Sequence, residues 1–187
     1  MDTPPSLLER VRQPTDQEAW NRFVQLYTPL LLHWARRLGL QDPDAADLVQ
    51  DVFAILLRRL PDFRYQPRQR FRGWLWTITV NKWRERRRVR TATPQADDPG
   101  RLDELAVADG AEGMAEDEYR RYLTRRALEV MKAEFQPATW QAFWETVVDE
   151  RPTAEVAREL GLSENAVYLA KGRILRRLRR ELDGLLD

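Results

Sequence analysis

The sequence predicts an all-α protein: two small helical domains joined by an acidic, flexible linker, the C-terminal domain with a helix-turn-helix. Leu, Ala, Arg and Glu dominate the composition and only 8 of 187 residues are Gly, which favours helix. Apolar residues recur at three-and-four spacing through most of the chain, the period of an amphipathic helix. Between residues 93 and 117 this pattern stops, and Pro, Gly and acidic residues replace it, as is typical of a linker.

The first long helix of the N-terminal domain (1–92) is predicted over residues 16–39. Its aromatic and aliphatic side chains share one face. Pro29 lies inside this pattern and is expected to kink the helix or break it near Thr28, because proline lacks the N–H of a helix interior.

Two further helices follow in the N-terminal domain. Asp42 is the expected N-cap of the second, with Pro43 at its first helical position, and Pro61 ends it. A polar loop over residues 62–70 leads to the third, which runs from Phe71 to about Arg90. The C-terminal domain (118–187) is predicted to contain helices near 118–135, 137–149, 153–160 and 163–183.

Charge is segregated along the chain, although the net charge is only +1. The stretch from Arg58 to Arg90 holds 12 basic and two acidic residues, and Thr91 to Glu118 holds nine acidic residues and one Arg. Six of the ten residues from Lys171 to Arg180 are basic. Two basic surfaces on one chain indicate two contacts with a polyanion, although each basic run alone could be a solvated helix face.

The composition argues against an enzyme. With no Cys, the chain has no disulfide framework, thiolate metal site or cysteine nucleophile. The single His, His33, is not part of a triad or metal-ligand pattern, so we expect no catalysis, no metal and no cofactor. No apolar run approaches the roughly 20 residues that span a bilayer, and the N-terminus has no apolar signal core. We therefore expect a cytoplasmic protein with no membrane partner.

Residues 152–182 predict a helix-turn-helix. Gly161 supplies the turn, where a positive φ is accessible to glycine, and Ser163 caps the second helix. Ala157 is small enough to let the two helices cross closely. In this motif the second helix enters the major groove with its N-terminal residues first. A helical hairpin that does not bind DNA is the alternative.

The second helix of this motif carries the candidate DNA-reading residues. Asn165 can read adenine through two hydrogen bonds, and Leu169 can contact a thymine methyl group. The cations that follow can reach guanine or phosphate. The predicted contacts are Ser163, Asn165, Tyr168, Leu169, Lys171, Arg173 and Arg176. Arg177, Arg179 and Arg180 either hold phosphate or form a solvated helix end.

Two segments of the N-terminal half resemble a known family. They are DAADLVQDVFAILLRRL at 44–60 and FRGWLWTITVNKWRERRR at 71–88. With their spacing to the helix-turn-helix, they resemble the small, two-domain RNA polymerase sigma factors of the extracytoplasmic function group within the sigma-70 family. The likeness covers nearly the whole chain, although the linker matches only in acidity and position.

The resemblance implies a sigma factor that binds core RNA polymerase, directs it to promoter DNA and helps to open that DNA. Residues 1–92 would form a sigma region 2-like domain for polymerase binding and for minus-10 recognition and melting. Residues 118–187 would form a region 4-like domain for minus-35 recognition. The acidic linker would run through the polymerase interior, with an inert spacer as the alternative. Family members are often held inactive by an anti-sigma factor, which is therefore a candidate partner.

The helix 44–60 has a polar, acidic stripe opposite its apolar face. In the family this stripe faces a coiled coil of the largest catalytic subunit of polymerase. The resemblance therefore implies polymerase-binding residues at Asp47, Gln50, Asp51 and Phe53. A solvated acidic face is the alternative for the stripe, and a core position is the alternative for Phe53.

The helix 71–88 is apolar on two sides, and one of them interleaves Trp with Arg. Such side chains can stack on unpaired bases, at roughly 1–3 kcal/mol per base; packing of Trp76 and Trp83 against the helix 16–39 is the alternative. In the family this helix and the loop before it hold the non-template strand of the minus-10 element. The resemblance implies minus-10 contacts at Phe71, Arg72, Asn81, Arg84 and Arg88, and the stacking argument adds Trp76 and Trp83 as candidates.

One departure and one competing function follow from the same residues. The family often has Arg and Ser where this chain has Tyr168 and Leu169, so its minus-35 sequence does not carry over. A free-standing helix-turn-helix transcriptional regulator that never joins polymerase is the alternative function. That alternative would leave the acidic stripe at 44–60 without a role.

Overall fold

The computed structural model describes residues 5–64, 70–91 and 114–186, and in these ranges every regular element is a helix. The all-α prediction is confirmed. The linker lies mostly outside the described residues, as does the centre of the loop 62–70. Eight α-helices are described: α1 Leu7–Val11, α2 Gln17–Arg37, α3 Asp42–Arg59, α4 Phe71–Thr91, α5 Glu116–Met131, α6 Pro137–Val147, α7 Thr153–Glu159 and α8 Glu164–Leu182.

Side-chain caps begin the first two helices. Ser6 accepts a hydrogen bond from the Glu9 N–H while the Glu9 carboxylate accepts one from the Ser6 N–H, which is a capping box. Asp16 caps α2 by accepting from the Ala19 N–H at 2.9 Å. Arg10 of α1 donates to the same carboxylate at 2.8 Å, so Asp16 also ties α1 to the start of α2.

This arrangement predicts an acid-sensitive contact. The pKa of Asp16 is lowered from its ordinary value of 3.8, first because Arg10 hydrogen-bonds the carboxylate and second because the Ala19 N–H donates to it. A carboxyl with a lower pKa in the folded state stabilises the fold above its unfolded pKa, and this stabilisation is lost as the pH falls through the folded value. Asp16→Asn keeps a capping oxygen but does not titrate. We expect its melting temperature to fall less than that of the wild type between about pH 7 and about pH 3; equal falls would contradict this role.

α2 continues through Pro29 as one helix, so the predicted break near Thr28 does not occur. Proline has no N–H to donate to the carbonyl of Gln25, four residues earlier. Arg126 of α5 donates its Nε–H to that carbonyl at 3.2 Å. The C-terminal half thus satisfies an acceptor that Pro29 leaves open.

The predicted N-cap of α3 is wrong by one residue. Gln41 occupies that position without a side-chain hydrogen bond, while Asp42 is the first helical residue. The Asp42 carboxylate pairs instead with Arg36, at 2.8 Å. Pro43 is therefore the second helical residue rather than the predicted first, but it still lies in the first turn, where its missing N–H costs nothing.

An aromatic core fixes the orientations of α2, α3 and α4. Phe23, Tyr27 and Phe71 are fully buried, and the Phe71 ring meets the other two edge-on at 6.0 and 5.7 Å. Trp34 is also buried and packs edge-on against Trp76 at 5.1 Å. This core holds the predicted polymerase-binding helix, α3, beside the predicted DNA-binding helix, α4.

α7 and α8 form the predicted helix-turn-helix. Gly161 has φ +64 in the turn between them, and the Ser163 hydroxyl accepts from the Ala166 N–H at 3.1 Å. Ala157 and Val167 are buried where the two helices cross. Behind them, a second cluster of Met131, Trp140, Phe143 and Ile174 supports α8 from α5 and α6.

The two halves of the chain pack directly against each other. Tyr119 and Leu123 of α5, and Leu182 at the end of α8, belong to the same buried cluster as Phe23 and Trp34. This packing was not predicted from the sequence.

Candidate nucleic-acid and protein interfaces

The acidic stripe of α3, formed by Asp47, Gln50 and Asp51, lies on the outside of the N-terminal half. The Asp47 and Asp51 side chains are 60% and 41% exposed. Arg86 of α4 lies 3.4 Å from Asp47 and 3.5 Å from Asp51, and Lys82 lies 3.9 Å from Asp51. Ion pairs this exposed contribute about 0–1 kcal/mol. The stripe is therefore accessible and oriented by α4. Its ion pairs with Lys82 and Arg86 are weak enough for the cations of a partner to replace them.

Phe53, the fourth predicted polymerase contact, is half-buried. Its ring packs edge-on against Trp20 at 6.0 Å and Phe23 at 6.4 Å. One side of the ring thus anchors α3 to α2, and the remaining surface is open beside the stripe. Phe53 is therefore partly a core residue, as the alternative interpretation proposed, and partly accessible.

Two of the predicted minus-10 residues lie in the core. Phe71 is 0% exposed and Trp83 is 4% exposed. Phe71 is enclosed by the aromatic cluster, and Trp83 lies beside Leu40 with the Arg87 guanidinium 5.0 Å above its ring. A ring with almost no exposed surface cannot stack on a base, so the prediction of DNA contact is wrong for both.

Trp76 fits both interpretations of its face of α4, contact with DNA and packing against α2. It is half-buried, with its ring edge-on to Trp34 of α2. The packing alternative thus explains why a tryptophan stands here, while part of the ring still faces outward.

The polar and basic members of the predicted minus-10 set differ in access. Asn81 and Arg88 are exposed on α4, and Arg84 is half-buried. Arg72, at the start of α4, donates to the Met114 carbonyl at 3.1 Å and lies 5.5 Å above the Tyr119 ring. Residues of the C-terminal half thus engage Arg72, while the middle and end of α4 are accessible.

The first two turns of α8 present one face to solvent. Asn165 is exposed, and Tyr168 and Leu169 are each 58% exposed. Ser163 lies at the helix N-terminus, where its hydroxyl is engaged in capping and its position suits a phosphate.

The basic residues of α8 divide into two groups. Lys171 is half-buried, while Arg173 and Arg176 are exposed and border an open groove. Arg177, expected to hold phosphate or be solvated, does neither: it pairs with Glu134 and Glu181. The positive charge of Arg177 therefore serves ion pairs within the protein.

Lys82, Arg86 and Arg177 are residues whose roles the sequence did not reveal. Each looks like another solvated cation of a basic run, and each is an ion-pair partner of an acid on a different turn or helix. Their positions at i and i+4 on α4 place Lys82 and Arg86 on one face, but no sequence signal says that α3 packs there.

The described ranges hold no cluster of three or more residues that could bind a metal ion. No helix within them is long and apolar enough to cross a membrane.

Comparison with known proteins gives a consistent result. The model of the family described as sigma-70 region 2 matches residues 23–93, which include α3 and α4. The chain is 33% identical over 177 residues to the RNA polymerase sigma factor CnrH of Cupriavidus metallidurans, covering 92% of this chain and 88% of CnrH. It is 39% identical over 75 residues to the RNA polymerase sigma factor NccH of Alcaligenes xylosoxydans xylosoxydans, covering 40% of this chain and 39% of NccH.

A solved structure of CnrH in complex with the cytosolic domain of CnrY also matches. Its identity is 25% and its TM-score 0.36, with 95% of each chain covered.

Proposed function

Because the chain belongs to the sigma-70 family of RNA polymerase sigma factors, within the extracytoplasmic function group, we propose that the acidic stripe of α3 is its contact with core polymerase. We propose equally that α4 and α8 are its contacts with promoter DNA. As a sigma factor the chain binds core RNA polymerase, directs it to promoters and helps to open the DNA. Its role is regulatory, since the chemistry of transcription belongs to polymerase.

The observation that carries the polymerase assignment is the exposed stripe. Asp47 and Asp51 stand side by side, and within the described part of the chain they form weak, exposed ion pairs with α4. A basic partner helix can replace those cations and gain the steering that complementary charge gives to association. Phe53 adds an aromatic edge next to the charges, which suits an interface with a small apolar centre.

The minus-10 assignment is narrower than the sequence suggested. Asn81, Arg84 and Arg88, together with the outward part of Trp76 and with Arg72, are the proposed contacts. Opening a duplex costs about 1.4 kcal/mol per base-pair step. Phosphate contacts and stacking on the released strand can offset that cost.

The minus-35 assignment places Asn165, Tyr168 and Leu169 against base edges in the major groove. Ser163, Lys171, Arg173 and Arg176 are proposed to hold the phosphates on either side. The domain roles follow: residues 1–92 for polymerase and the minus-10 element, and 118–187 for the minus-35 element.

The assembly test uses purified core polymerase and the full chain. Co-elution from a sizing column, followed by transcription from a promoter that core polymerase alone does not use, is the expected result. If the chain binds duplex DNA but fails to co-elute where another sigma factor does, the free-standing regulator is the correct function.

A base-reading role for Asn165 has its own test. Asn165→Ala is expected to reduce discrimination at one base pair of the upstream element by about 1–3 kcal/mol. The ranking of promoter variants should change while the salt dependence of binding does not.

Arg176→Ala is the matched control, since it removes an exposed cation that is proposed to hold phosphate from the same helix. It should weaken all sequences alike and lower the salt slope by about one. A uniform loss with Asn165→Ala would mean that Asn165 positions the helix rather than reading a base.

We also propose that a second protein regulates the chain, as an anti-sigma factor would. The relative CnrH forms a complex with the cytosolic domain of CnrY. The template that polymerase transcribes is the genome. We therefore propose that the chain works where the genome lies, in the cytoplasm.

A further inference from the structure

Gly172 is a glycine that the described part of the chain does not require. Of the five glycines in the described ranges, Gly39, Gly161 and Gly184 have a positive φ, which favours glycine. Gly172 lies inside α8 with an ordinary helical backbone. Among the described residues, a Cβ built on it meets only the end of the Arg176 side chain, at 4.0 Å. Glycine is among the least favourable residues in a helix interior, so the reason for it points outside the chain.

The missing side chain leaves a space beside two of the proposed DNA readers. At about 100° per residue, Gly172 falls between Tyr168 and Leu169, one turn further along α8. A helical side chain leans towards the N-terminus and covers the preceding turn, so a side chain at position 172 would stand against these two. Both are 58% exposed. We name the space bordered by Tyr168, Leu169 and Gly172 the α8 notch.

The surface of the α8 notch is apolar. Exposed apolar side chains are common on protein surfaces, so Tyr168 and Leu169 alone would not indicate a ligand. In a helix interior the N–H of Gly172 is bonded to the carbonyl four residues earlier, which leaves its Cα hydrogens at the surface. A tyrosine ring and a leucine side chain complete the border, with the Arg176 guanidinium at its edge. The notch therefore suits a small apolar group rather than a phosphate.

The major groove of DNA offers such a group on one base. The base edges there present hydrogen-bond donors and acceptors, and thymine adds its C5 methyl group. Asn165, which can read adenine through two hydrogen bonds, lies two turns before Gly172 on the same face of α8. An adenine reader and an apolar notch on one face together favour A·T pairs.

We propose that the α8 notch binds the C5 methyl group of a thymine in the upstream promoter element, and that Gly172 makes room for it. This inference rests on the minus-35 role proposed above for α8, and it names the base and the chemical group that the helix selects. The glycine gives up helix stability, and the gain appears only when DNA is bound.

Replacing thymine with uracil tests the notch, because the two bases differ only by that methyl group. Core polymerase loaded with the full chain first selects upstream elements from a promoter pool that is randomised in this region. Each selected promoter is then prepared with either thymine or uracil in the upstream element alone. We expect the wild-type complex to bind the thymine form about fourfold more tightly for each methyl group in contact, the effect of burying one such group.

Gly172→Ala fills the notch with a methyl group of the protein itself. Its melting temperature should rise by about 2–4 °C, because alanine favours helix. Its preference for thymine over uracil should fall below about twofold. Gly73→Ala is the matched control: Gly73 is a glycine of α4, and nothing described lies within 4 Å of a Cβ built on it. This control should keep the wild-type preference, and comparing preferences cancels any change in overall promoter affinity.

Equal binding of the thymine and uracil forms by the wild-type complex would overturn the inference, as would selected elements that contain no thymine. A Gly172→Ala variant that keeps the full preference for thymine would overturn the role of Gly172. If the loaded polymerase selects no upstream sequence at all, α8 is not a promoter reader, and the proposed function fails instead.

Discussion

Phe71→Ala is expected to lower the free energy of unfolding by about 3–5 kcal/mol, the usual cost of removing a fully buried phenylalanine. Phe71 is 0% exposed, and its ring contacts Phe23, Tyr27 and Phe63. Those rings come from α2 and from the segment after α3, so the cavity would open where the N-terminal helices meet. Urea unfolding followed by circular dichroism measures the loss.

Val89→Ala is the control on the same helix, since Val89 is 72% exposed and its loss should cost no more than about 0.5 kcal/mol. Single-stranded DNA binding separates the two interpretations of Phe71. If Phe71→Ala unfolds like the wild type and loses only affinity for the non-template strand, then the ring contacts DNA and the core assignment is wrong.

Replacing Asp47, Gln50 and Asp51 together with alanine is expected to weaken binding to core polymerase by roughly 30-fold or more, equivalent to about 2 kcal/mol. The variant removes two carboxylates that steer association and an amide between them. Arg86 and Lys82 would lose partners but remain at the surface, so stability should change by less than about 1 kcal/mol. Titration of fluorescently labelled chain with core polymerase measures the affinity.

Asp117→Ala with Glu118→Ala is the matched control, because it also removes two exposed negative charges, from the first turn of α5. It should retain wild-type affinity for polymerase. Both variants should bind an upstream-element duplex equally well. If they weaken polymerase binding to the same extent, net charge rather than the stripe governs assembly.

Helix periodicity predicted seven of the eight described helices, because each of those seven has an apolar face to bury. It missed α1, whose five residues are too few to show a helical period. The helix-turn-helix was predictable for a further reason: Gly is strongly favoured at a positive φ, as at Gly161, and Ser is strongly favoured at an N-cap, as at Ser163. The N-cap of α3 was misplaced because Arg36 offers the Asp42 carboxylate a charged partner, and no local signal reports that arginine.

The errors on α4 have one physical origin. A stripe of Trp and Arg is apolar whether it meets a base or another helix, so periodicity shows which face is apolar and not what covers it. Trp83 is covered by Leu40 and Arg87, and part of Trp76 by Trp34. Charge runs have the same ambiguity, since Arg86 and Arg177 are ion-pair partners within the chain.

The contact between the halves could not be predicted from local sequence. Arg22 and Glu181 are 159 positions apart, and nothing near either residue identifies the other. Such contacts depend on the packing of whole helices, which the spacing of residues within one helix does not record.

Pro29 leaves open on α2 a hydrogen-bond acceptor that belongs to the backbone and not to a side chain. The group that receives Arg126 is the backbone carbonyl of Gln25, which every amino acid at position 25 would supply. Residue 25 can therefore vary freely without loss of this acceptor, and with a proline at position 29 no backbone N–H from that position shares the carbonyl with Arg126. A proline that would weaken an isolated helix thus provides a backbone acceptor for the contact between α2 and α5, and this acceptor is kept whatever side chain residue 25 carries.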